Sequence, residues 1–380
     1  MSFRNFITQL GILLLLLFAA FAEASAQKLY PVQIKGKWGY MNTAGKMIIK
    51  PSYNYASAFN EGYAVVAVAN LPCLINVHEN RVIDTGIYQF IGAFSEGLVP
   101  VMDYKFKVFF LDSNGKKIII LPKEVYDARS FHNGLARVSK KVDIVTQKFG
   151  ADILKLGYKF AFTHKHEGFL TGFDFDDADD FEDGQSRVKI DNKFGLLNRD
   201  GSYAVKPEYD FMSSFNEGLA VVGKEGKYGY IDRSGNIVIP LQYEYAREFN
   251  EGMAAIEMNG KTGFINTKAE LVIAAQFDEV RPFGEGLAAV RTGNKFGIID
   301  KKGNYVFNPT FDDAGYFNDG VCPVRKGGKW GAISKEGKVM AKFEFESMSV
   351  FDDGIAEVTF QGVDIYVNTQ GELLPKLKEQ

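Results

Sequence analysis

The sequence predicts an all-β chain of tandem repeats, each about 34 residues long, stacked as an open, twisted β array or solenoid. Three features point there: a fixed period, β-branched runs bounded by turn residues, and glycine at recurring positions. The stretch Lys227 to Gly252, KYGYIDRSGNIVIPLQYEYAREFNEG, returns along the chain, closing on glycine at 62, 97, 134, 184, 218, 252, 286, 320 and 354. From Gly184 onward every step is 34 residues. Self-similarity at a period of this size marks a repeat array and overrides a domain count taken from length.

Residues 1–26 read as a secretory signal: Arg4, an apolar run from Leu10 to Phe21, then Ala24-Ser25-Ala26 before Gln27. The apolar run is too short for a comfortable membrane span, so a soluble mature chain, periplasmic or secreted, is expected. The array covers 27–371 as nine copies plus a half copy, and 372–380 form a tail. Copies two and three are worn. The step from Gly134 to Gly184 is longer than the period, and the excess falls at about 139–154.

Within a copy, Leu219 to Val222 form a short apolar strand, and Gly226 turns the chain into a second strand, Lys227 to Ile231. The carboxylate of Asp232 bonds the amides of the next turn. A β-branched third strand, Asn236 to Ile239, ends at Pro240, which has no N–H to donate. Tyr243, Ala246 and Phe249 then stand three apart, the spacing of one helical or 3₁₀ turn. Each copy is therefore expected to hold three short strands and one helical turn, the turn capped by the acidic residue at 210, 244, 278 or 312. A propeller blade usually has four strands, so a β-propeller-like closed ring is the alternative. Phenylalanine recurs at 59, 94, 131, 181, 215, 249, 283, 317 and 351 and predicts a core ladder; the glycine after Glu251 predicts positive φ.

Two columns of charge also recur. Lysine precedes the aromatic-Gly pair, and glutamate or aspartate precedes the closing glycine, which suggests neighbour pairs such as Glu217 with Lys227. The formal net charge of -3 lacks the basic balance of a nucleic-acid binder. The two cysteines, Cys73 and Cys322, occupy repeat positions, Cys73 in place of the aromatic, and are expected as buried free thiols.

Gly36-Lys37-Trp38-Gly39 and Gly328-Lys329-Trp330-Gly331 resemble the signature of bacterial WG (KWG) repeats. Lys193-Phe194-Gly195, Lys227-Tyr228-Gly229 and Lys295-Phe296-Gly297 are similar variants, while Thr262 replaces the aromatic in its copy. The resemblance covers about Leu29 to Gly371 and implies a β-rich bacterial repeat, often extracytoplasmic, with no shared catalytic residue.

Candidate chemistry is sparse. Gly260-Lys261-Thr262 matches only the end of a phosphate-binding loop, and it stands at a strand turn. Asp174 to Asp183, DFDDADDFED, offers Asp174, Asp176, Asp177, Asp179 and Asp180 as hard oxygen ligands for calcium, or reads as a solvated acidic turn. His164 and His166 fall at turn positions. The remaining candidate is the aromatic column Trp38, Phe160, Phe194, Tyr228, Phe296 and Trp330, either a binding platform for a sugar or peptide or a second core ladder. These features predict a non-enzymatic scaffold or binding module for a protein or glycan, with no cofactor, no nucleic acid and no stable membrane insertion. The alternative is a hydrolase-type enzyme or a calcium-binding protein using 174–183.

Overall fold

The computed structural model describes residues 29–34, 36–42, 46–148 and 151–374; the expected signal, 1–26, lies outside them. Among the described residues every regular element is a β-strand and none is helical. Among the described residues the chain forms two compact units, residues 29–190 with 198–202, and residues 191–197 with 203–374.

The second unit opens with the antiparallel pair Lys193–Asn198 and Tyr203–Tyr209, followed by five four-stranded sheets. One sheet stands for all five: Tyr245–Ala246, Met253–Met258, Lys261–Asn266 and Leu271–Phe277, paired antiparallel in chain order. The first unit begins with a three-stranded sheet, Leu29–Ile34, Lys37–Asn42 and Met47–Tyr53. Two four-stranded sheets follow, starting at Tyr55–Ala56 and Phe90–Ile91. A three-stranded sheet of Val125–His132, Leu135–Lys148 and Ala151–His164 comes next, and the paired strands Asp177–Ala178 and Gln185–Ile190 close the unit.

Successive sheets within a unit pack face to face. Tyr230, Ile239 and Tyr243 of one sheet share a core with Ala246, Phe249, Ala254 and Ile256 of the next. Met253 and Ala255 point the other way, into the core shared with Val280, Phe283 and Ala288. Side chains alternate across a strand, so a sheet covered on both faces needs an unbroken apolar run, which is why Leu219 to Val222 read as continuous. The phenylalanine column fills these cores: Phe249 is 0% exposed, with its ring centroid 4.8 Å from that of Tyr230. Phe59 and Phe215 are half-buried, the other seven buried.

The expected open array of three strands and a helical turn per copy is overturned. Each regular copy supplies four strands, and they form separate sheets stacked face to face, the blade plan of the β-propeller alternative. The spacing of Tyr243, Ala246 and Phe249 misleads because the chain crosses from one sheet to the next between them. Tyr243 ends a fourth strand, the backbone bends at Glu244, and Ala246 belongs to the two-residue first strand of the following sheet. All three enter one core without any helix.

Pro240 does not end its strand either. Ile237–Tyr243 runs through it because Tyr228 pairs with Tyr243 while Tyr230 pairs with Ile239, leaving Gly229 opposite three residues. In this bulge a Cβ on Gly229 would lie 2.5 Å from the Ile239 carbonyl oxygen. The same approach occurs at Gly39, Gly195, Gly263, Gly297 and Gly331. In each of those sheets the last strand is seven residues long. Where the register puts Cys73 or Phe109 in the glycine's place, the last strand shrinks to Arg81–Ile83 or Lys117–Ile120. The glycine of the aromatic-Gly pair is thus a close-approach residue. Cys73 stands in its column, not in that of the aromatic; Pro72 takes the aromatic's place.

Candidate binding surfaces

The loop before each second strand is a two-residue hairpin turn. Asn250 and Met253 exchange backbone hydrogen bonds, with Glu251 at φ 52 and Gly252 at φ 77, the double positive φ of a type I′ turn. Glycine there matches expectation, but the glutamate before it is also left-handed. Its carboxylate explains why it is retained. Glu251 accepts from the amide of Gly286 in the next sheet at 2.8 Å, and Glu217, Glu285 and Asp319 do the same to Gly252, Gly320 and Gly354. In the first unit Glu61 bonds Gly97, and Glu96 bonds Gly134. The expected partner of Glu217, Lys227, is replaced by this turn-to-turn ladder.

The lysine column pairs within its own sheet. Lys261 meets Asp278 at 2.5 Å and Lys329 meets Glu346 at 2.9 Å; Lys193–Asp210 and Lys295–Asp312 repeat the contact. Asp278 and Asp312 also accept the turn amides of Gly293 and Gly328. These acidic residues therefore cap a strand hairpin, not the start of a helical turn. Lys261 and Thr262 begin a strand, so the fragment resembling a phosphate loop is a hairpin.

The acidic segment is dispersed among cations. Asp176 pairs with Lys159 at 2.8 Å, Asp179 with Arg187 at 2.8 Å and Asp180 with Arg137 at 3.4 Å. Asp177 bonds the amide of Ala178, and the Asp174 carbonyl accepts from Lys159. Among the described residues no group of acidic, histidine or cysteine side chains is arranged to hold a metal. His164 ends a strand beside Glu167, and His166 is exposed in the following loop. Cys73 and Cys322 are buried free thiols, and burial pushes both above the usual thiol range.

The aromatic column lies on the strand next to the last of each sheet, each ring opposite an aromatic at the end of the last strand: Trp38 faces Tyr53, Phe194 Tyr209, Tyr228 Tyr243, Phe296 Phe311 and Trp330 Phe345. Phe160 bridges Phe175. Phe296 is buried and the other five are half-buried, so the column is not an open platform. Tyr228 stands edge-on between two exposed first-strand rings, Phe211 at 5.9 Å and Tyr245 at 5.4 Å.

The excess at 139–154 is the feature that the sequence located without interpreting. It lengthens one hairpin: Leu135–Lys148 and Ala151–His164 pair along their whole length, but Val125–His132 accompanies them only as far as Lys140. Beyond that point the two strands form an arm on which Ile144, Val145, Leu154 and Leu156 are exposed, Leu154 at 67%. Alternation in Leu154-Lys155-Leu156-Gly157-Tyr158, after a glycine at 150, is the signal that predicts such a strand.

Among the described residues no helix is long and apolar enough to cross a membrane. No curated protein matches the chain. Among solved structures it is similar to a eukaryotic initiation factor, at 9% identity over 84% of this chain and 96% of that one, with a TM-score of 0.44. It is also similar to BamB from Moraxella catarrhalis, at 10% identity over 93% of this chain and 96% of that one, with a TM-score of 0.32. Likeness at these scores carries no argument about this chain. The profile of the WG containing repeat matches 38–71, 110–141, 169–194, 194–228, 228–261, 263–296, 296–330 and 330–362. Five of these segments begin on a ring of the aromatic column, and the gap between 71 and 110 spans Cys73 and Phe109, the two side chains that displace its glycine in the first unit. The chain belongs to the family of WG-repeat proteins.

Proposed function

We propose that this WG-repeat protein is a non-enzymatic binding module that works outside the cytoplasm and engages a protein partner. The observation that carries this reading is the hairpin arm. Its strands have no third neighbour beyond Lys140 among the described residues, and its aliphatic side chains face water. Exposed contiguous apolar surface marks interaction sites, and free strand edges add main-chain donors and acceptors for a partner strand. At the base the arm is braced: Tyr126 and Tyr158 lie 5.7 Å apart, and the ammonium of Lys141 sits 3.7 Å from the Tyr126 ring centre. Packing of this kind positions the arm instead of leaving it a loose loop. The leader pattern at 1–26 supports the location.

Photo-crosslinking tests the reading. A benzophenone amino acid at Leu156 is expected to give a discrete protein adduct in the envelope or medium of producing cells. The same probe at Ile237, an exposed position on a regular sheet, is expected to give none. Equal labelling from both positions, or none from Leu156, contradicts it.

A further inference from the structure

The aromatic column is interrupted once among the regular copies, at Thr262, and a cavity opens at that place. In the preceding sheet Tyr228 pairs across the strand with Gly223 and lies between Phe211 of its own sheet and Tyr245 of the next. The equivalent row is Tyr245, Glu257, Thr262 and Phe277, with Glu279 as the first-strand residue of the following sheet. With threonine in the ring's place, a cavity of about 360 Å³ remains, lined by Tyr245, Arg247, Glu257, Thr262, Asp278 and Glu279 among others. Pockets that bind small molecules begin at about 300 Å³, so this one is large enough to admit a side-chain ring.

The walls define what fits. Glu279 is held by Arg281 and Arg291, and Asp278 by Lys261 and the Gly293 amide, so that side is fixed and its charge is answered. Glu257 and Arg247 make no ion pair among the described residues, which leaves a free carboxylate and a free guanidinium at the cavity. Tyr245 is 45% exposed and offers a ring edge or face for stacking. A flat ring with a hydrogen-bond donor meets all of these demands: apolar contact with Tyr245, an N–H or O–H toward Glu257, and a guanidinium able to lie over its face.

We infer that the cavity at Thr262 binds an aromatic side chain, tryptophan or tyrosine, inserted by a protein partner in place of the ring this copy lacks. Other copies supply the ring in cis; here it comes in trans. The inference rests on the protein-binding reading above but on a separate site, so the cavity can be probed without the arm.

N-acetyltryptophanamide serves as the probe. Titrated into the labelled protein, it is expected to shift the amide signals of Thr262, Glu257 and Tyr245 saturably. Thr262→Tyr fills the cavity with the residue that other copies carry there, and is expected to fold, to melt no lower than the wild type, and to weaken binding at least tenfold. Thr262→Val keeps the space and retains binding within about twofold, which separates loss of the cavity from loss of the hydroxyl. Tyr245→Ala weakens binding. No saturable shift in the wild type, or undiminished binding to folded Thr262→Tyr, overturns the inference while leaving the arm reading untouched.

Discussion

The carboxylate of Glu251 accepts a hydrogen bond from the amide of Gly286, 35 residues on, at 2.8 Å, and holds one sheet's turn against the next. Lys301 reaches the same carboxylate at 3.2 Å. The contact requires Glu251 to sit at φ 52, a conformation that costs a non-glycine residue about 1–2 kcal/mol. Glu251→Ala removes the bond and keeps the strain, whereas Glu251→Gly removes both. Urea denaturation is expected to show Ala as the less stable variant by about 1 kcal/mol. Equal stabilities would mean that the turn relaxes and stores no strain.

Acid should loosen the ladder. Burial raises the carboxyl of Glu251, but the Gly286 amide and Lys301 outweigh it, and the group ends below the usual range. Glu96 and Glu285 are likewise lowered by turn amides and lysines acting against burial. With folded values below unfolded ones, the unfolded chain binds more protons, so these groups stabilise fully above the ordinary carboxyl range near pH 4.3. That contribution disappears as pH falls through the folded values. Thermal melts are expected to be flat from about pH 6 to 7 and to drop below about pH 4.5. A drop that begins near neutrality would point to other groups.

Gly229→Ala drives a Cβ to 2.5 Å from the Ile239 carbonyl oxygen, a backbone atom with no rotamer to escape into. The expected cost is about 1–3 kcal/mol, with loss of amide protection concentrated in Ile237–Tyr243. A neutral result would show that the bulge can close to the short form seen beside Cys73.

Phe249→Ala empties a fully buried ring site between two sheets. The expected loss is about 3–5 kcal/mol. Sheets in such an array contact mainly their neighbours, so hydrogen exchange should accelerate there first. A loss below about 1 kcal/mol would contradict the core assignment.

Period, turn glycines and the buried phenylalanine column were legible in the sequence because each repeats in register and has one physical cause. The fourth strand was not. It is the two-residue strand Tyr245–Ala246, just past the bend at Glu244, and the three-residue spacing of Tyr243, Ala246 and Phe249 imitates a helical turn. The role of Gly229 was hidden as well, since the residue it crowds, Ile239, is ten positions away across a bulge. Of the candidate sites, the acidic run looked rich in oxygen ligands for a cation in one dimension, but Lys159, Arg187 and Arg137 divide it in three. The half-burial of Tyr228 depends on Phe211 and Tyr245, 17 residues to either side, and no local pattern announces it.

The central claim is that the end of each sequence copy is the first strand of the next sheet. Ser347 and Thr359 test it directly: they are paired across the two strands, and their hydroxyl oxygens lie 2.6 Å apart. Paired residues on antiparallel strands have Cα atoms about 4.5–5.5 Å apart, inside the range a disulfide spans. Ser347→Cys combined with Thr359→Cys is expected to form an intrachain disulfide under mild oxidation, recovered as one cross-linked peptide by mass spectrometry, with the fold retained. A folded double variant whose two new thiols stay reduced would contradict the four-stranded sheet and return the segment around Ser347 to a turn.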